Sequence, residues 1–259
     1  MQSGVRGSGF GVRERRTSAS SDASAWERLI VALDVPTLDE AVRLVDVLAA
    51  SVSWFKVGSE LFTAVGPQAV SMVRERGRRV FLDLKFHDIP RTVAAAVGSA
   101  ARLGAEMINI HITAGEEALR LAAQALGSGS GPRNPNPEHR PLLLGVTRLT
   151  SDEDGPEVMA AVVDAAARAK WCGLDGVIAS AREASAIKAA CGPEFVVVTP
   201  GIRPSGVPSG DQRRVTTPAD AVRAGADYLV VGRPVLTTPD PALIVSRIVQ
   251  EMDAVIGKS

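Results

Sequence analysis

The sequence predicts an α/β protein, a single (β/α)₈ TIM barrel. Three observations lead there. Short apolar, β-branched runs recur eight times along the chain. Most are separated by stretches of helical periodicity. The length, 259 residues, suits a fold that typically needs roughly 250. Continuous apolar strands are what a helix-covered parallel sheet requires. An open doubly wound sheet is the competing architecture. It would normally carry a Gly-rich dinucleotide turn after the first strand. Here that turn reads Ala32-Leu33-Asp34-Val35-Pro36.

The units follow in order. The first strand, residues 29–33, ends at Asp34 and precedes helical spacing over 38–48. The second, 54–57, ends in Lys56-Val57-Gly58. The third, 80–84, runs on through Asp83-Leu84-Lys85-Phe86-His87-Asp88, with a helix over 90–103. The fourth, 107–110, ends at Asn109 and His111, before a helix over 116–126. The fifth, 142–146, leads into Thr147-Arg148-Leu149-Thr150-Ser151, with a helix over 158–171. The sixth, 176–179, ends at Ser180 and precedes a helix over 182–190. The seventh, 195–198, leads into Thr199-Pro200-Gly201-Ile202-Arg203-Pro204, and the eighth, 228–231, into Gly232-Arg233-Pro234. Residues 1–25, rich in Ser, Gly and Arg without apolar periodicity, read as a disordered arm. Residues 26–259 read as the barrel domain. The Gly-, Pro- and Asn-laden stretch 127–140 reads as an exposed loop.

Composition excludes several function classes. Lys plus Arg number 29 and Asp plus Glu number 29, for a formal net charge of zero. That argues against a nucleic-acid binder driven by bulk charge. It leaves open a small anion, which needs only two or three local cations. Two cysteines cannot build a disulfide framework or a four-thiolate zinc site, which fits a reducing cytoplasm. No apolar run approaches the roughly 20 residues that span a bilayer. The expectation is therefore a cytoplasmic protein with no membrane or nucleic-acid partner.

Barrel active sites lie at the C-terminal ends of the strands, and every strand here ends in polar or charged residues. The third is the sharpest. Alternation puts Asp83 and Lys85 on one face, about 7 Å apart along the backbone, with Leu82 and Leu84 on the other. The charged pair then points into the barrel, where unpaired charge is costly. Asp34 and Lys56 are suitable partners, and Asp88 could join from the loop. A structural ion pair plugging the mouth is the plainer alternative. The loops after strands seven and eight resemble a phosphate site, with Gly201, Arg203, Gly232 and Arg233 supplying backbone N–H groups and guanidinium forks. Residues 205–218 form a long polar loop in which Gln212 could bridge donor and acceptor groups. His87 and His111 are too few to assert a metal. Cys172 and Cys191 read as core thiols, and Trp26, Trp54 and Trp171 as packing residues.

These residues carry a resemblance. The run Phe81-Leu82-Asp83-Leu84-Lys85-Phe86-His87-Asp88-Ile89-Pro90-Arg91-Thr92 resembles the signature of the orotidine 5′-phosphate decarboxylase family. Ala32-Leu33-Asp34, Lys56-Val57-Gly58, Val146 to Ser151, Thr199 to Arg203, Gly210 to Arg214 and Val231 to Pro234 extend it, in order, across roughly residues 27–255. Arg91 stands where many relatives carry Asn, and the 127–140 loop is longer than usual. The resemblance implies a homodimer with shared active sites, acting without metal or organic cofactor. Its reaction turns orotidine 5′-monophosphate into UMP and carbon dioxide, the last step of de novo UMP synthesis. It implies Lys85 as proton donor to pyrimidine C6, and Lys56, Asp83, Lys85 and Asp88 as an alternating charge network. Asp88 and Thr92 would reach the partner's site. Asp34, Lys56, Asp88 and Thr92 would hold ribose hydroxyls and Thr150 would sit by the pyrimidine. Gln212 would bridge base and phosphate, Gly232 and Arg233 would bind phosphate, and Arg203 would contact ligand. Asp83 has two possible tasks: aiming a protonated Lys85, or crowding the substrate carboxylate. The rivals are a magnesium-dependent phosphosugar decarboxylase or synthase barrel, and a non-catalytic phosphosugar-binding barrel.

Overall fold

In the computed structural model, residues 24–127, 140–147, 156–205 and 216–256 are described. The elements run α1 (Ala25–Arg28), β1 (Leu29–Ala32), α2 (Leu38–Leu48), β2 (Trp54–Gly58), α3 (Ser59–Val65), α4 (Gln68–Glu75), β3 (Arg79–Phe86) and α5 (Pro90–Arg102). They continue with β4 (Met107–His111), α6 (Glu116–Leu126), β5 (Leu142–Val146), α7 (Pro156–Trp171), β6 (Gly176–Ile178) and α8 (Ala181–Cys191). The last are β7 (Val196–Thr199), α9 (Pro218–Arg223), β8 (Tyr228–Val231), α10 (Arg233–Leu236) and α11 (Pro241–Asp253). The strands pair in parallel, in chain order, and β8 closes onto β1. The predicted barrel is the observed one. Ala25, placed in the arm by the sequence, is buried in α1, one residue inside that boundary.

Local chemistry sets the helix starts. Thr37, Thr217 and Asp240 each accept a backbone N–H from the first turn of α2, α9 and α11, relieving donors that have no helical partner. Proline opens α5, α9 and α11, where its missing N–H does no harm. Along α2 the buried residues are Ala41, Val45 and Leu48, spaced to form one stripe.

Alternation along the strands divides the core in two. Val31, Phe55, Leu82, Ile108 and Val197 face the helices. Ile30, Trp54, Phe81, Met107, Leu144, Val196 and Tyr228 fill the barrel interior. Trp54 meets Tyr228 edge-on there, ring centroids 5.7 Å apart. Of the three tryptophans expected to pack, Trp54 does so. Trp26 is instead 40% exposed and Trp171 69%. Trp171 lies at the end of α7, with the Arg120 guanidinium stacked 4.0 Å from its ring centroid.

The N-terminal rim repeats one device that the sequence reading missed. The residues just before β4, β6 and β8 are Glu106, Asp175 and Asp227. Each donates its N–H to the carbonyl of Val80, Leu143 or Val197 on the preceding strand. Each carboxylate then accepts the N–H of that same residue, at 2.7, 2.8 and 2.7 Å. These strand-start donors would otherwise lack partners at the barrel floor. Asp227 also holds the Lys188 ammonium at 2.6 Å. Asp227→Ala leaves that cation and the Val197 N–H without their carboxylate. The expected loss is about 3 kcal/mol in urea unfolding.

Candidate active site

The C-terminal mouth is chemically lopsided. Toward the C-terminal end of one half of the barrel stand Asp34, just past β1, Lys56 on β2, Asp83 on β3 and Asn109 on β4. On β5 to β8 stand Val146, Ile178, Val198 and Val230, all within the interior apolar cluster. A charged wall therefore faces an apolar one.

The charged wall is a continuous chain. Lys56 Nζ lies 2.8 Å from Asp34 Oδ1 and 3.1 Å from Asp83 Oδ2. Lys85 Nζ lies 2.6 Å from Asp83 Oδ1. Barrel register explains the meeting: Ala32 is opposite Lys56, and Gly58 is opposite Asp83. Gly58 has to be small. A β-carbon there would sit 3.0 Å from both Asp34 Oδ1 and Lys56 Nζ. Burial pushes the Asp83 carboxyl up, but the Lys56 and Lys85 ammoniums, with hydrogen bonds from Lys85 and Asn109, together hold it below its usual range. Burial likewise pushes Lys56 down, and Asp83 with Asp34 outweighs it, holding the ammonium above its usual range. The pairing Asp34–Lys56–Asp83–Lys85 is thus a run of alternating charge, each buried member compensated.

Strand β3 departs from simple alternation where it matters. Leu82 is opposite Ile108, yet Phe86 is opposite Ile110, so β3 holds two extra residues in that interval. Lys85 takes up the slack with φ of 49°, and among the described non-glycine residues it alone has positive φ. A side chain in that region costs about 1–2 kcal/mol. Asn109, fully buried on β4, accepts the Lys85 N–H through Oδ1 at 2.8 Å and donates from Nδ2 to Asp83 Oδ1 at 2.6 Å. Asn109 was not among the residues expected to serve the site. Its signal was a lone amide in the apolar strand Met107-Ile108-Asn109-Ile110.

Part of each patch expected from the sequence lines one depression. Asp34 and Lys56 line it together with Gly201, Gly232 and Arg233. Gly201 turns with φ of 80°, a conformation that suits glycine. Arg203 is buried, and burial, then the nearby Arg233 charge, push its guanidinium pKa down. Two cations held close together favour an anion between or beside them.

The remaining expectations divide. Asp88 and Thr92 line a separate depression with Lys85, His87 and Phe86. Among the described residues Asp88 pairs with no cation; its carboxylate accepts the Ile89 N–H. It therefore does not join the charge chain of this structure. The His87 and His111 rings lie 5.3 Å apart, and burial, then the His87 and Lys85 charges, hold His111 below its usual range. Two polar strand ends prove structural. Thr147 Oγ1 donates to the Ile178 carbonyl, and Ser180 caps α8. Cys172 and Cys191 are buried thiols. Thr150 and Gln212 lie outside the described residues, as do nearly all of the 127–140 loop and the arm before Ser24.

Comparison with known proteins follows this geometry. The profile of the orotidine 5′-phosphate decarboxylase / HUMPS family matches residues 27–248. The chain belongs to that family. A protein of Moorella thermoacetica named orotidine 5′-phosphate decarboxylase is 50% identical over 240 residues, covering 89% of this chain and 94% of its own. One of Pelobacter propionicus with the same name is 47% identical over 239 residues, with 89% and 97% covered. The crystal structure of orotidine 5′-phosphate decarboxylase from Lactobacillus acidophilus superposes with a TM-score of 0.72 at 32% identity, over 88% of this chain and 99% of that one.

Proposed function

We propose that this chain is a carboxy-lyase that converts orotidine 5′-monophosphate to UMP and carbon dioxide. The observation that carries the reading is the chain Asp34–Lys56–Asp83–Lys85, whose Asp34 and Lys56 line one depression with Gly201, Gly232 and Arg233. Relatives bearing that activity's name share half of the sequence.

Loss of carbon dioxide breaks the C6–carboxyl bond and leaves its electron pair on C6. No ring carbonyl is placed to absorb that charge directly, so fixed positive charge must stabilise it. The Lys85 ammonium at C6 does so, then transfers a proton to C6 and is reprotonated from solvent. Asp83 keeps that ammonium charged and aimed. Its Oδ1 is committed to Lys85 and Asn109, and its Oδ2 to Lys56. Asp34 and Lys56 bind ribose hydroxyls at the edge of the same depression. The apolar wall of Val146, Ile178, Val198 and Val230 seats the base. Gly232 and Arg233 hold the phosphate with Arg203 behind them, so that binding energy far from C6 helps assemble the site.

Among the described residues Asp88 pairs with no cation of the charge chain and its carboxylate accepts the Ile89 N–H, which supports the shared-site reading: in a homodimer Asp88 and Thr92 serve the neighbouring subunit's ribose. Residues 26–259 form the catalytic domain and 1–25 an arm outside it. Among the described residues, no helix is long and apolar enough to cross a membrane.

The deciding experiment follows the ultraviolet absorbance of orotidine 5′-monophosphate with no added metal. Turnover that EDTA leaves unchanged is expected. Turnover lost to EDTA and restored by magnesium would move the chain to a metal-dependent phosphosugar chemistry, and UMP binding without turnover would make it a binding barrel. Arg233→Ala should raise KM for the nucleotide by about 100-fold, since it removes a charge-assisted fork. Orotidine, which lacks the phosphate, should lose little; equal losses would contradict the phosphate role.

A further inference from the structure

The structure assigns Asn109 a positioning role: it fixes the left-handed backbone of Lys85 and the rotation of the Asp83 carboxylate, and through them aims the Lys85 ammonium. The inference rests on the decarboxylase reading for its kinetic consequence, but its geometry is independent of it. Three observations converge. Strand β3 carries two residues more than β4 between Leu82 and Phe86. Lys85, within that interval, has φ of 49°. A single side chain from the neighbouring strand spans the irregular segment, accepting from Lys85 N at 2.8 Å and donating to Asp83 Oδ1 at 2.6 Å.

The chemistry of the amide suits both ends. One partner is a donor and the other a carboxylate, so the site needs an acceptor and a donor on one planar group of this length. Asn supplies that with no charge. Asp supplies the acceptor but sets a second carboxylate against Asp83. Ala or Leu supplies neither. A non-glycine residue persists at positive φ only where its surroundings over-determine it. Asn109 is fully buried, so in the native protein no solvent competes for either bond. Without it the Lys85 N–H loses its acceptor, and Asp83 Oδ1 is free to rotate toward Lys56.

The test uses the full-length protein with Asn109→Ala and Asn109→Asp, each checked for folding by far-ultraviolet circular dichroism. Asn109→Ala should lower kcat by about 100-fold, the scale of a misaimed reacting group, while KM and UMP affinity stay within about threefold. Asn109→Asp should show a kcat ratio to wild type that rises as the pH falls. Two carboxyls that close hold one proton between them, and the protonated side chain donates to Asp83 as the amide does. The other titratable groups facing that position are Lys56 with Asp34, Lys85, and His111 with His87. They are common to both proteins and cancel in the ratio. The Asn109→Ala ratio should be flat. A buried amide of merely structural value would give no such pH signature.

A second readout needs no turnover. In protein labelled with ¹⁵N-lysine, amide exchange at Lys85 should be slow in wild type and about 100-fold faster in Asn109→Ala, where the hydrogen bond is gone. Should Asn109→Ala fail to fold, Asn109→Asp still decides the matter through its pH profile. Wild type without turnover would sink the decarboxylase reading alone, and the exchange rates would still decide the positioning role. Unchanged Lys85 exchange, kcat within about threefold of wild type in folded variants, or a flat Asn109→Asp ratio would each overturn it.

Discussion

Lys85→Ala abolishes turnover of orotidine 5′-monophosphate, with kcat falling on the order of 10⁴-fold, and leaves the barrel folded. The size follows from the double task the proposed mechanism gives the ammonium, to meet the developing charge at C6 and then to supply the proton. The fold survives because Asp83 keeps two other donors, Lys56 at 3.1 Å and Asn109 at 2.6 Å. The Lys85 side chain is also 36% exposed, so its pairing is screened and the stability loss stays near 1 kcal/mol or below. Single-turnover kinetics and a thermal melt measure the two effects. Substantial turnover in the folded variant would remove Lys85 from the proton-donor role. The same protein tests the shared site. Mixed with Asp88→Ala, it should regain about a quarter of wild-type activity, since half of randomly exchanged dimers are hybrids and each hybrid has one site with both residues intact. No recovery after demonstrated subunit exchange would argue that Asp88 serves its own chain.

Asp83→Asn loses both stability and activity. Every neighbour of that carboxylate is a donor: Lys56, Lys85 and Asn109. An amide offers one oxygen where the carboxylate offered two, and its NH₂ group faces a cation. The Lys56 ammonium, buried with a side-chain exposure of 10%, is left with Asp34 alone. Breaking such a buried pairing costs about 3–5 kcal/mol. Loss of the anchor that aims Lys85 should lower kcat about 10²–10³-fold. The pH dependence has a definite sign. The Asp83 carboxyl is depressed in the fold, so its stabilisation is present above the unfolded value of about 4 and is lost as pH falls through the folded value. Lys56 is raised, so its stabilisation is complete below the unfolded value of about 10.4 and is lost as pH rises through the folded one. The stability gap between wild type and Asp83→Asn, read from urea unfolding, should therefore be widest between those limits. It should close below about pH 4. A gap that does not change on acidification would mean that the carboxylate charge is not what the variant removes.

Particular elements separate what was legible in the chain from what was not. Strand β8, residues 228–231, and helix α6, residues 116–126, have the limits that their apolar periodicity predicts. Helices α3, α4 and α11 were not named from the sequence; α3 and α4 are short and separated only by Gly66 and Pro67. Asp34, Lys56, Asp83 and Lys85 were legible because charge at the end of an apolar strand is conspicuous. Thr147 and Ser180 carried the same signal and serve only backbone partners. A hydroxyl at a strand end reads alike whether it meets substrate or caps a helix.

The sequence alone determined the architecture and most of the charged mouth. Both depend on local patterns: apolar periodicity along each segment, and polar residues where a strand stops. Tertiary structure decided the rest, because it depends on register between segments far apart in the chain. Barrel closure brings Asp34 beside Lys56 and puts Glu106, Asp175 and Asp227 under the strands before them. It brings no cation to Asp88 among the described residues. It also sets Asn109 against the two extra residues of β3. Alternation placed Asp83 and Lys85 on one face, but the left-handed turn at Lys85 comes from a hydrogen bond offered across the sheet.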